Sequence, residues 1–169
     1  MVMIAIGGFT LNSDTMLAKW GVVSNNQYNV VRVLVTKSGG RLFSVNNNNS
    51  SRITPDGKAG LVVLYVEDKF LNTIDIEAEP QRILVVGAGG FTFGMHDDYH
   101  KFDIVDIDPA LKDVAEDMFL GQELSENRTF HPVAIRGFLQ QNKEPYDLIF
   151  VDVFSGNTQI PEQLVTREF

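Results

Sequence analysis

The stretch RILVVGAGGFTFG, Arg82 to Gly94, constrains the fold of this chain more than any other. Its first half is a run of apolar, mostly β-branched residues, the composition of a strand buried on both faces. Its second half is a glycine cluster, which a chain carries where its backbone must pass very close to something. Downstream the pattern alternates. KFDIVDID reads as a second strand, TFHPVAI as a third and YDLIFVD as a fourth. Between the second and third, PALKDVAEDMFLG places Leu111, Val114, Ala115, Met118 and Phe119 on one apolar stripe, the mark of an amphipathic helix. Asp108 is placed to cap that helix, Pro109 to occupy its first turn and Gly121 to end it. Strand and helix in this order predict an α/β unit, a parallel sheet covered by helices.

Upstream of Arg82 the signals differ. NVVRVLVT and RLFSV are short β-rich runs joined by KSGG, whose glycines suit a tight turn, so a small antiparallel β-hairpin module is expected. The polar run from Asn46 to Ser51 breaks the pattern and reads as a solvated turn. GLVVLYVEDKFL, Gly60 to Leu71, has valines that favour strand, but Leu61, Leu64, Tyr65, Asp68 and Leu71 fall at helical spacing, and a helix is expected. IEAEPQ reads as the join, giving a first unit over residues 1–79 and a second over 80–169. Trp20 reads as a packing residue. MVMIAIGGFTL is far shorter than the roughly 20 apolar residues that cross a bilayer, and it lacks the flanks of a signal peptide. It suits a buried strand or the trailing end of a membrane helix.

The 169 residues carry a net charge of −8. Residues 1–79 hold seven basic and seven acidic side chains, and residues 80–169 hold seven basic and fifteen acidic, so the excess lies wholly in the second unit. An acidic unit repels phosphate backbones, which disfavours a nucleic-acid partner and favours a cationic small molecule or solubility alone. With no cysteine, disulfide frameworks and thiolate metal sites are excluded.

In an open α/β sheet a ligand lies at the carboxyl ends of the strands, where the first strand turns into the first helix. Gly87, Gly89 and Gly90 stand there. A nicotinamide fingerprint wants glycine or alanine five residues after the first glycine, and Thr92 occupies that place, which disfavours a dinucleotide. Asp106 ends the second strand, nineteen residues after Gly87, where a carboxylate can accept hydrogen bonds from both hydroxyls of a ribose. Asp152 ends the fourth. Loop and acids together point to an adenosine ligand. HDDYH puts His96 and His100 at i, i+4 spacing, but reads better as a polar crossover than as a metal site, and no metal is expected. His131, followed by proline, suits a surface or strand-edge position. Phe91 and Phe93 suit the core, with Phe91 close enough to the loop to touch a purine.

From about Ser24 onward the chain resembles the spermidine synthase family, and more closely the spermidine-synthase-like domains fused to bacterial membrane transporters. NNQYNVVRV is similar to the family's N-terminal strand, VLYVED to the helix after the hairpins and ILVVGAGG to its glycine loop. IVDIDP, YDLIFVD and IPEQLVTREF resemble the ribose-acid segment, the catalytic strand and the segment beyond. The resemblance implies a Rossmann-like, methyltransferase-type fold behind an N-terminal β-module. It implies S-adenosylmethionine or its decarboxylated form as substrate, aminopropyl transfer to a polyamine, and a cofactor site of Gly87, Ala88, Gly89, Gly90, Asp106, Ile107, Tyr28 and Tyr65; Asp152 is the candidate catalytic residue, standing in as base for the family's own aspartate. A methyltransferase and a catalytically silent accessory domain of a transporter-linked protein are the alternatives.

The matches are uneven. Gly87, Gly89, Asp106, Asp152, Tyr28, Tyr65 and Glu67 agree with the family's pattern. Asn29 and Ser50 stand where it has glutamine, Val66 where it has histidine or glutamine, and Gly90 where the glycine loop has aspartate. Ala134 falls near the acid that meets the adenine, and Ser155 takes the place of the catalytic aspartate. A complete methyltransferase-type sheet has more strands than the four or five expected here, so a truncated sheet is expected, completed in a homodimer or a longer chain. The resemblance implies a cytoplasmic protein, or the cytoplasmic portion of a membrane protein.

Overall fold

The computed structural model describes residues 14–70 and 79–153, together with Leu164 and Thr166. MVMIAIGGFTL, the first half of the IEAEPQ join and Ser155 with most of the segment after it lie outside the described residues.

A short helix, α1 (Asp14–Lys19), leads into four strands, β1 (Val22–Asn25), β2 (Val30–Val35), β3 (Arg41–Val45) and β4 (Asn48–Ile53). They form one antiparallel sheet in the order β1-β2-β3-β4. The expected single hairpin is therefore a four-stranded meander. The asparagine run is only partly turn: Asn46 and Asn47 take φ of 50° and 68° at the tip, and the strand resumes at Asn48. Pairing of Phe43 with Ser51 and of Arg41 with Ile53 makes a strand of a segment whose own composition is polar. Helix α2 (Leu61–Phe70) follows, as its spacing predicts.

The second unit carries β5 (Arg82–Val86), β6 (Lys101–Asp106), β7 (Arg128–Pro132) and β8 (Leu148–Val151), a parallel sheet in the order β7-β6-β5-β8. Helix α3 (Ala110–Val114) continues as a π-helical turn (Ala115–Leu120) between β6 and β7, and α4 (Ile135–Gln141) lies between β7 and β8. Gly121 ends the first of these in left-handed conformation, its amide reaching the Glu116 carbonyl at 3.0 Å. Residues 87–100 hold turns and no helix, so the expected turn from first strand into first helix is absent, and His96 and His100 share no helical face. His100 is buried, its Nδ1 accepting the Gln81 amide at 3.2 Å.

Strand β5 is apolar from Ile83 to Val86 because both its faces are covered there. Ile83 and Val85 join Phe102, Ile104, Leu111, Ala115 and Phe119, together with Val31, Phe43 and Ile53 of the antiparallel sheet. Leu84 and Val86 alternate to the other face, with Val105 and the α4 residues Ile135, Phe138 and Leu139. The two sheets thus share one core, with Phe43 meeting Phe119 edge to face at 5.2 Å. Phe91 and Phe93 are core residues as expected, whereas Trp20 is 46% exposed rather than packed. Among the described residues no helix is long and apolar enough to cross a membrane.

Candidate active site

Parallel register brings the four strands to a common level: Val86 pairs with Val105 and with Val151, and Asp106 pairs with Pro132. The residues just beyond, Gly87, Ile107, Val133 and Asp152, therefore gather at one end of the sheet. The chain reverses there, because β6 and β7 lie on one side of β5 and β8 on the other. A crevice at such a reversal is where open α/β sheets hold ligands. A cleft of about 760 Å³ occupies the place, walled on its far side by Asn29, Val45, Asn46 and Asn48 to Ser50 of the antiparallel sheet.

Two of the glycines are fixed by the protein's own packing as well as by any ligand. Gly87 has φ +96°, and a β-carbon on it would lie 2.3 Å from the Asp152 carbonyl oxygen. A β-carbon on Gly90 would lie 2.5 Å from the Phe119 ring. The loop is thereby pressed against β8 on one side and the π-helical turn on the other.

Asp106 faces this loop. Its Oδ2 accepts the Ala88 amide and its Oδ1 the Asp108 amide, both at 3.0 Å. Burial raises its pKa, against these bonds and the Ile107 amide, with the Asp108 charge adding to the rise. A carboxylate offers about four lone-pair sites, of which the Ala88 and Asp108 amides take two. Asp152 also lines the cleft; desolvation raises its pKa, with no hydrogen bond from a described residue to oppose the rise. Arg136, in the first turn of α4, is the one cation in the cleft's lining among the described residues, and its Nη2 lies 3.3 Å from Thr166 Oγ1.

Asp108 is more than a helix cap. It accepts the Ala110 amide at 3.0 Å, and its fully buried carboxylate also takes the side-chain amides of Asn26 at 2.8 Å and Asn29 at 2.9 Å. Asn46 Nδ2 then donates to Asn29 Oδ1 at 2.8 Å. This chain of bonds seats the asparagine tip of the first sheet over the parallel one.

Of the residues singled out in the sequence, Gly87, Gly89, Asp106, Ile107 and Asp152 line the cleft together. Ala88 lines a smaller cavity behind the loop, and Gly90 turns its amide to Ser51 Oγ at 2.9 Å. Tyr28 and Tyr65, 39% and 65% exposed, do not line the cleft. Sequence reasoning passed over Asn46, Asn48 and Asn49 as a wall of the cleft, because a run of asparagines reads as a turn. It gave no role to Arg128, and nothing local marks that arginine as buried.

The chain is 36% identical over 99 residues to a polyamine aminopropyltransferase of Vibrio vulnificus, a match covering 54% of this chain and 32% of that protein. The crystal structure of a probable spermidine synthase from Corynebacterium glutamicum superposes with a TM-score of 0.71 at 20% identity, over 85% of this chain and 55% of its own. A spermidine synthase in complex with the transition state analogue AdoDATO gives 0.63 at 14% identity, over 87% and 51%. The chain has a spermidine-synthase-like fold. The spermidine synthase from Thermotoga maritima, at 0.58 and 14% identity over 80% and 48%, agrees. No family model matches the chain. It spans about a third of the curated relative's length and about half of each solved spermidine synthase.

Proposed function

We propose that the cleft binds an S-adenosyl ligand and that this spermidine-synthase-like unit belongs to an aminopropyl transferase. The observation that carries the reading is Asp106: its carboxylate is oriented by the Ala88 amide at a strand end, beside an open cleft and a glycine loop. It suits the vicinal hydroxyls of a ribose. The sulfur-bearing arm then runs along Gly87 and Gly89 toward Asp152. No other side chain among the described residues bonds the Asp152 carboxylate, so it repels a tail bearing its own carboxylate and attracts one bearing an ammonium. That favours decarboxylated S-adenosylmethionine over S-adenosylmethionine.

In the proposed transfer a polyamine nitrogen attacks the carbon beside the sulfonium. The new C–N bond forms as the C–S bond breaks, and methylthioadenosine leaves as a neutral thioether. The nitrogen's surplus proton passes to Asp152, whose carboxylate burial makes a stronger base than an exposed one. The neutral amides of the far wall orient the acceptor without trapping its charge. A second reading, binding without turnover, follows from Ser155 at the position where the family carries an aspartate, since a serine hydroxyl is no base at neutral pH.

Calorimetry with S-adenosylmethionine, its decarboxylated form and methylthioadenosine tests this. Binding of the decarboxylated form or methylthioadenosine is expected, weakened about 10- to 100-fold in Asp106→Ala, as loss of a charge-assisted contact implies. No binding of any of the three defeats the reading. Binding without turnover of putrescine or spermidine favours the second.

A further inference from the structure

The segment from Gly87 to Gly94 is gripped by four elements. Asp106 of β6 takes the Ala88 amide at 3.0 Å, and Ser51 of β4 takes the Gly90 amide at 2.9 Å. Glu67 of α2 takes the Gly94 amide at 2.6 Å, and Arg128 of β7 donates through Nη2 to the Phe91 carbonyl at 2.9 Å. Inside this grip Phe91 adopts φ +58°, a left-handed conformation that a bulky side chain tolerates only where its surroundings over-determine it. Its ring is buried edge-on to Phe130 at 5.2 Å.

Arg128 is an expensive way to fill space. It is 7% exposed, its guanidinium lies 5.3 Å from the Phe102 ring, and its Nε and Nη1 have no hydrogen-bond partner among the described residues. Burial lowers its pKa to about 10, opposed by the charges of Glu67 and Asp97. An unbranched apolar side chain would fill the same place with less desolvation. What it could not do is hold the carbonyl of the strained residue.

We infer that Arg128, with the half-buried Glu67 as its countercharge, is a positioning residue that locks Phe91 in left-handed conformation and so keeps Gly87 to Gly90 in the shape a ligand meets. The inference rests on the proposed reading of the cleft for its purpose, but it concerns the ligand-free loop and can be tested there.

The test is amide hydrogen exchange on the ligand-free protein, comparing wild type with Arg128→Met, Arg128→Lys and Glu67→Gln. In Arg128→Met the amides of Gly90, Phe91 and Gly94 should exchange about tenfold faster or more, while those of β5 and β6 keep their protection. Arg128→Lys should restore most of the loop's protection, and Glu67→Gln should loosen Gly94 in the same local way. Unchanged loop amides, or a uniform rise through β5 and β6, would overturn the inference and make Arg128 a packing group. If Arg128→Met does not fold, the Lys and Gln variants decide by the same local criterion. Affinity for methylthioadenosine should fall about tenfold in Arg128→Met through the smaller competent population. If wild type binds no methylthioadenosine, the functional reading fails while the exchange result still judges the loop.

Discussion

The α-carbon of Gly87 lies so close to the Asp152 carbonyl that a β-carbon there would come within 2.3 Å of its oxygen. The strand end that offers the proposed base and the loop that would shelter the ligand are therefore one packed unit. Gly87→Ala should cost about 3 kcal/mol, from the clash and the positive φ together. Gly137→Ala, in α4 with open space around it, should stabilise the protein by about 0.5 kcal/mol. Urea unfolding of the two variants checks the contrast, which equal effects would contradict.

Asp108 ties the two sheets together through Asn26 and Asn29. Asp108→Ala removes, at a fully buried position, the acceptor of both amides and of the Ala110 N–H. A loss of about 3 kcal/mol is expected in denaturant titration. The antiparallel sheet should also exchange its amides faster than the parallel one.

Asp152 has a raised pKa because burial disfavours its charge. A carboxyl whose folded pKa lies above its ordinary value of 3.8 binds protons more tightly folded than unfolded. Its favourable contribution is present below that value and is lost as pH rises through the folded pKa. Asp152→Asn should therefore match or exceed wild type in thermal midpoint near pH 7.5, with the advantage shrinking toward about pH 4. The variant should also lose any transfer activity.

Asp103 behaves in the opposite sense. Burial pushes its pKa up, but bonds from His131 Nε2 at 2.7 Å, Tyr146 at 2.9 Å and Arg82 at 3.1 Å outweigh that and hold it below the ordinary value. Its contribution is present above 3.8 and lost as pH falls through the lowered folded value. Asp103→Asn should cost about 2 kcal/mol at neutral pH. The difference from wild type should narrow between about pH 4 and pH 2 in acid-unfolding curves.

Much of the fold was legible because its strongest signals are local. Ile83 to Val86 are apolar in sequence because both faces of β5 are covered, and Asp106 sits where the apolar run of β6 stops. The four parallel strands and the helix after β6 follow from such patterns. Strand β4 was hidden because it exposes Asn49 and Ser50 and buries chiefly Ser51 and Ile53, so pairing with β3 makes it a strand and composition does not. The π-helical turn keeps Ala115 and Phe119 of the apolar stripe in the core but turns Met118 outward, which the α-helical spacing did not foresee. Arg128 was invisible because its burial depends on Phe91, Phe102 and Glu67, which are distant in sequence. The asparagine wall was hidden for a related reason, since it becomes a wall only when Asp108 seats it over the sheet.

The most direct measurement is a crystal structure of the protein with methylthioadenosine. The account predicts a nucleoside lying in the cleft between Asn46 and the ends of β5 and β6, with both ribose hydroxyls within hydrogen-bond distance of the Asp106 carboxylate. A nucleoside bound elsewhere, or in the cleft with its ribose turned away from Asp106, would contradict it.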